Sequence, residues 1–172
     1  MSKNKEHFYI GTTRFTNDTF KENHQWREKH NWDGCIYGLN KKIASSVQPR
    51  ALIYVIEMNN DTNKIAGIGL VRNYFDSANR FRIYLSDPNY NRYVYNSRYR
   101  KDITDILKSD DACSINSGMS VKLIIQQLEK VLFTGKGHYK RGQGITMLKW
   151  QRFDSKTRFL LKTFFQNLFE LD

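Results

Sequence analysis

The segment Gly135-Lys136-Gly137-His138-Tyr139-Lys140-Arg141-Gly142-Gln143-Gly144 sets four glycines among three cations and a histidine. Glycine lets main-chain N–H groups come close to an anion, and Lys136, Lys140 and Arg141 add charge. The stretch therefore reads as a phosphate contact. The alternative is a solvated basic hairpin in which the glycines serve only the turn. It is not a Walker loop, because Gly-x4-Gly-Lys-Ser/Thr is absent. His138 beside Lys140 and Arg141 has the composition of an acid/base group with a phosphate clamp, as RNA cleavage needs.

A second stretch, Asp87 to Lys101, interleaves Tyr90, Tyr93, Tyr95 and Tyr99 with Arg92, Arg98 and Arg100. Aromatic faces stack on unpaired bases while arginine holds phosphate. The competing reading is a strand whose tyrosines pack half into the core. Of the tryptophans Trp26, Trp32 and Trp150, Trp32 lies in a loop between Asn31 and Asp33-Gly34, where a large aromatic is less automatically core and can touch a ligand, although a buried structural tryptophan is the default at any one position. Other chemistry is scarce. His24 and His30 are six apart, off the spacing that would put both on one helical face, and Cys35 and Cys113 form no Cys-x-x-Cys pair. No metal, cofactor or catalytic constellation is expected, and no Gly-x-Ser-x-Gly elbow occurs.

The 172 residues fit one domain, expected over 1–172, and 40% hydrophobic with 14% aromatic residues is too apolar for a disordered chain. The net charge of +11 favours polyanions. It is concentrated: Lys130 to Phe153 holds six basic residues and no acid, and Arg72 to Lys101 holds seven against Asp76 and Asp87. The polar start, the absence of a long apolar run and the sparse cysteines predict a protein without a membrane partner, in the nucleus or cytoplasm.

The elements that must carry these residues follow from pattern. Phe8 to Thr13 reads as a strand, and Thr16-Asn17-Asp18 caps a polar helix to about His30. Asn31 to Asn40 reads as a loop. Ala51 to Ile56, a turn at Asn59-Asn60-Asp61-Thr62-Asn63 and Ile65 to Val71 form a hairpin, whose glycines Gly67 and Gly69 admit a close neighbour. Phe81, Ile83 and Leu85 alternate with Arg82 and Tyr84 as a half-buried strand. Tyr93 to Tyr99 is another strand, and Ser109 to Gly118 a polar loop. Val121, Ile124, Ile125, Leu128, Val131 and Leu132 give the clearest helix. Ile145 to Lys149 is a short strand, and Ser155 caps a last helix. The class is α+β.

Several of these segments, taken in order, resemble the YTH and EVE domains of the PUA-like superfamily, small α+β barrels that read modified bases. His7-Phe8-Tyr9-Ile10-Gly11-Thr12-Thr13 is similar to that family's first strand, and Asn31-Trp32-Asp33-Gly34 with Leu39-Asn40-Lys41-Lys42-Ile43 to its tryptophan and the stretch beyond it. The Ala51–Met58 and Lys64–Gly69 segments resemble its central hairpin. Val94-Tyr95-Asn96-Ser97-Arg98 resembles a late Val-Thr-Asn-Ser-Arg segment. The resemblance implies a PUA-like small β-barrel core with flanking helices. It implies an aromatic cage with Trp32 as one wall, and Tyr74, Phe75 or Tyr84 in place of a second tryptophan. Thr13 and Asn17, with Thr12, would meet the base edge, and Arg98 a phosphate; Arg100 stands beside it.

The expected function is thus nucleic-acid binding, DNA or RNA, through one modified or flipped-out base. Three others stand beside it: a nonspecific single-strand binder, an RNA- or DNA-processing enzyme using His138, and a structural or partner-binding protein.

Overall fold

The computed structural model describes residues 7–109 and 119–169. Cys113 and most of the Ser109–Gly118 segment lie outside them. The strands are β1 (Tyr9–Phe15), β2 (Cys35–Leu39), β3 (Leu52–Asn59), β4 (Lys64–Arg72), β5 (Tyr93–Ser97), β6 (Arg100–Asp102) and β7 (Thr146–Met147). The helices are α1 (Asn17–Lys29), α2 (Ile103–Lys108), α3 (Val121–Phe133) and α4 (Ser155–Leu168). The architecture is α+β, with a five-stranded mixed sheet in the order β6-β4-β3-β1-β7. β1 and β3 run parallel at its centre, and the other pairings are antiparallel. β2 and β5 form a separate antiparallel ribbon. Among the described residues the ladders do not close into a barrel.

Alternation along β3 decides the layers. Tyr54, Ile56 and Met58 enter a core shared with α2, α3 and α4, while Ile53 and Val55 enter one shared with the ribbon. β3 is covered on both faces, so its sequence is a continuous apolar run, as a central strand demands. α3 supplies Ile124, Ile125, Leu128 and Leu132 to the first core, and α4 supplies Leu161, Phe164, Phe165 and Leu168. Helix entry is set by short polar side chains. Thr16 accepts from the Thr19 N–H while Thr19 answers the Thr16 N–H, a capping box. α4 is capped by Asp154 accepting from the Thr157 N–H rather than by Ser155, which is its first residue.

Where the ribbon crosses the sheet, the contact is polar. Glu57, on the ribbon side of β3, receives both Nε and Nη2 of Arg100 at 3.0 and 2.7 Å. It also receives the Tyr37 hydroxyl of β2 at 2.8 Å. The side chains of Glu57 and Arg100 are 3% and 6% exposed. Gly67 and Gly69 make room for this layer: a Cβ at Gly69 would lie 2.2 Å from the Tyr37 oxygen, and one at Gly67 2.8 Å from Arg100 Nη2. The two glycines read as a site of close approach admit a neighbouring layer's side chains. Burial, reinforced by Glu57, raises the Tyr37 phenol well above its ordinary value. Burial likewise pushes the Cys35 thiol up to about 11.

Three expectations are corrected here. Asn31–Asn40 is not all loop, because Cys35–Leu39 is a buried strand. Phe81–Leu85 is not a strand: the Asn91 carboxamide oxygen takes the N–H groups of Ile83 and Tyr84, and Glu22 those of Leu85 and Ser86. The Ile145–Lys149 strand shrinks to Thr146–Met147. Removing one partner of a buried ion pair leaves the other charge stranded, at a cost of about 3–5 kcal/mol. Glu57→Ala is therefore expected to lower unfolding free energy by about that much in urea titration. Converting both Glu57 and Arg100 to Met should recover most of the loss.

Candidate functional site

The carboxyl ends of β1 and β3 open on a cavity of about 290 Å³, lined by Thr13, Arg14, Phe15, Thr16, Thr19, Tyr37, Gly38, Leu39, Asn60, Tyr84, Tyr90, Gln143 and Gly144. Its floor is built by alternation in β1, which sends Phe15 into the ribbon-side core and Thr12 toward β7, where its hydroxyl reaches the Thr146 carbonyl at 3.3 Å. Thr13 is buried, and its hydroxyl pairs with no described residue. Asn60, which also lines the cavity, carries a buried side-chain oxygen with no hydrogen-bond partner among the described residues, a group that a ligand can satisfy.

The aromatic side is made by the segment that the alternating pattern mistook for a strand. Tyr84 is buried, its oxygen accepting from Asn23 Nδ2 at 3.1 Å, and its ring meets Tyr90 edge-on at 6.3 Å. Burial raises the Tyr84 phenol, more than the Asn23 hydrogen bond lowers it, so the ring stays neutral. The segment is pinned by Glu22. Burial opposes ionisation there, but the Ser86 hydroxyl and the Ser86 and Leu85 N–H groups together hold its carboxyl below the ordinary value. Gly38 permits the approach: a Cβ there would lie 2.2 Å from the Tyr90 carbonyl oxygen and 3.0 Å from the Tyr84 ring.

The third wall is the glycine-rich loop. Arg14 Nη1 and Asn60 Nδ2 both donate to the Lys140 carbonyl, at 3.2 and 2.9 Å, which brings Gln143 and Gly144 over the cavity. Gly144 has φ +67°, a conformation that glycine adopts readily, and the Lys41 stem lies against it. Arg14 lines the cavity, and Lys41, Lys140 and Arg141 stand on the segments beside it.

The residues singled out by sequence divide accordingly. Thr13 and Tyr84 line the cavity, and Lys140 and Arg141 stand on its wall-forming loop; Lys136 is exposed further along that loop. Trp32 does not line it. Its Nε1 donates to the Cys35 carbonyl at 3.1 Å and its N–H to Arg27, so it braces the entry to β2. Asn17 is exposed and ties α1 to the β3–β4 turn through Asn59 and Asp61. Tyr74 is exposed near the start of β3, at the other end of the sheet. Arg98 is exposed there too. Arg100 is not available to a phosphate, because Glu57 occupies its guanidinium.

Tyr95 is buried with its hydroxyl accepting from the Ile43 N–H, and Tyr93 and Tyr90 are half-buried. Phe75 packs edge-on against Tyr93 and Tyr95. His138 Nδ1 accepts from the Lys140 N–H at 3.2 Å, and no carboxylate or second histidine pairs with it among the described residues. No three His, Cys, Asp or Glu side chains gather as a metal set among those residues. Nor is any described helix long and apolar enough to cross a membrane. Lys41 and Arg14 were missed as site residues, and Tyr90 and Gln143, each singled out within a separate stretch, meet only through the fold. No family model, no curated protein and no solved structure matches this chain.

Gly38→Ala forces its new methyl into the Tyr90 carbonyl. Overpacking of this kind costs about 1–3 kcal/mol. Thermal unfolding should show that loss, and the tyrosine near-ultraviolet dichroism should change as Tyr84 and Tyr90 move apart.

Proposed function

We propose that the protein binds nucleic acid and takes one base, unpaired or flipped out, into the cavity between β1, β2 and the glycine-rich loop. The observation that carries this reading is the pairing of a small aromatic-sided cavity, lined by Thr13 and by Asn60 with its unpartnered side-chain oxygen, to Arg14 in its wall and to Lys41, Lys140 and Arg141 on the segments beside it. A volume of about 290 Å³ lies at the foot of the range for organic ligands, roughly 300–1,000 Å³, and suits a single planar ring system. The polar floor hydrogen-bonds a base edge, the tyrosines contact its ring, and the rim cations meet the phosphates beside it.

The resemblance to YTH and EVE domains supports the same reading, with a PUA-like arrangement in which β2 and β5 stand in for the missing part of a barrel. Of the residues it implies for the base, Thr13 and Tyr84 line this cavity, while Trp32, Thr12, Asn17 and Tyr74 do not. Trp32 gives up the cage wall to Tyr84 and Tyr90. The net charge of +11 supplies the long-range attraction, so affinity is expected to fall steeply with salt.

Fluorescence anisotropy with labelled DNA and RNA single strands, with and without one methylated base, tests this. Thr13→Val removes the hydroxyl and little else. It should erase a base preference of roughly 2–10-fold, the worth of one hydrogen bond, while leaving the salt dependence intact. Lys41→Ala and Arg141→Ala should weaken every oligonucleotide alike and each reduce the salt slope by about 1. Trp32→Ala should leave the preference unchanged. Failure to retain any oligonucleotide at about 100 mM salt would instead favour an acidic protein partner.

A further inference from the structure

At the opposite end of the sheet from the cavity, β4 and β5 separate and leave an open groove of about 600 Å³. It is lined by Arg72, Tyr74 and Asp76 on one side and by Asn96, Ser97 and Tyr99 on the other, over Leu52, Leu70 and Val94. The groove is the seam along which the ribbon fails to join the sheet. β6 pairs with β4 only from Gly67 to Gly69. Beyond it, the Leu70 N–H donates to the Tyr99 carbonyl and the Ser97 hydroxyl to the Leu70 carbonyl, and the strands then diverge.

The two largest exposed side chains of this seam are aromatic: Tyr74 is 57% exposed and Tyr99 45%. Neither is loose. The Arg50 guanidinium lies 4.9 Å from the Tyr74 ring centroid, and Tyr99 stands edge-on to Phe169 at 6.0 Å. Around them are exposed arginines. Arg72 is fixed by donating from Nη1 to the Arg50 carbonyl at 3.2 Å, while Arg98 stands on the turn between Ser97 and Tyr99 without a partner among the described residues. Asp76 is the one acid in the lining, and its oxygens are taken by the N–H groups of Ala78 and Asn79 and by the Asn79 side chain. Exposed aromatic rings flanked by arginine are what successive unpaired bases stack on while their phosphates are held.

We infer that this groove is a second nucleic-acid site, a stacking track for an unpaired strand, with Tyr74 and Tyr99 as its platforms and Arg50, Arg72 and Arg98 as its phosphate contacts. It is separate from the base cavity and does not depend on that cavity holding a base. β3 spans the distance between the two, roughly 25 Å, so one strand several nucleotides long can reach both. The track takes any sequence, because every base has a π-face; discrimination between bases belongs to the cavity. It takes single strands in preference to duplex, whose stacked bases offer no free face.

The test uses the full chain and fluorescein-labelled 12-mers of oligo(dT) and oligo(U), with a blunt duplex of equal length. Tyr74→Ala and Tyr99→Ala are each expected to weaken the single strands by fivefold or more, and to leave duplex binding unchanged. Tyr74→Phe keeps the ring and should retain wild-type affinity. Photo-crosslinking with 4-thiouridine strands should modify peptides containing Tyr74 or Tyr99. Wild-type affinity in both alanine variants, or crosslinks confined to the peptides of Tyr84 and Tyr90, would overturn the track and leave the cavity reading standing. Loss at Tyr74 with no effect of Thr13→Val on base preference would overturn the cavity reading and uphold the track. No binding of any strand in low salt would overturn both.

Discussion

Glu57 is a carboxylate sealed inside the protein, and a buried charge is tolerable only when its neighbours complete its hydrogen bonds. Arg100 supplies two of them from the sheet edge and Tyr37 a third from the ribbon. That single carboxylate therefore ties the ribbon, which no ladder of main-chain hydrogen bonds joins to the five-stranded sheet, to two strands of that sheet. Its position constrains much else. Gly67 and Gly69 must lack side chains to admit its partners. β2 must present Tyr37 at one register, which puts Gly38 and Leu39 at the cavity and Cys35 beside Ser97. A three-way hydrogen-bonded charge is satisfied only where all three partners meet it, which fits the single register seen. The cavity wall is a product of that register.

The two ends of the sheet then differ in a way that follows from the same junction. At the carboxyl ends of β1 and β3, the ribbon, the Tyr84–Tyr90 segment and the glycine-rich loop border the strands and leave a cavity of about 290 Å³. At the other end, the ribbon departs from β4 and leaves an open seam. The first is lined by Tyr84 and Tyr90, buried or half-buried, and the second by Tyr74 and Tyr99, which are exposed. Cations accompany both, which accords with a chain whose positive charge is spread over two stretches of sequence.

Much of the frame was legible from residues alone. The β3–β4 hairpin announced itself through an apolar run, a polar turn and a return run, and α3 through its spacing, because each signal is local. β2 was hidden because Gly34 and Gly38 punctuate it, and glycine there serves close packing rather than a turn. The Phe81–Leu85 segment misled in the opposite direction. Its alternation is real, yet its N–H groups are satisfied by the side chains of Asn91 and Glu22 rather than by a neighbouring strand. Arg98 and Arg100 look alike in sequence, two residues apart; only the position of Glu57 makes one structural and leaves the other exposed. Trp32 attracted attention by its type, whereas the aromatic side of the cavity comes from Tyr84 and Tyr90, which no local pattern brings together.

The glycine-rich loop is fastened to the body of the protein through the carbonyl of Lys140, gripped by Arg14 and Asn60. A carbonyl is common to every amino acid. The attachment therefore places no demand on which side chain occupies position 140, and the exposed Lys136 and Arg141 are equally unconstrained by it. Geometry and composition are uncoupled in this loop. Its charge can be lowered, reversed or replaced by aromatic groups while the cover over the cavity stays in place, so the partner this surface selects can change without the fold being renegotiated.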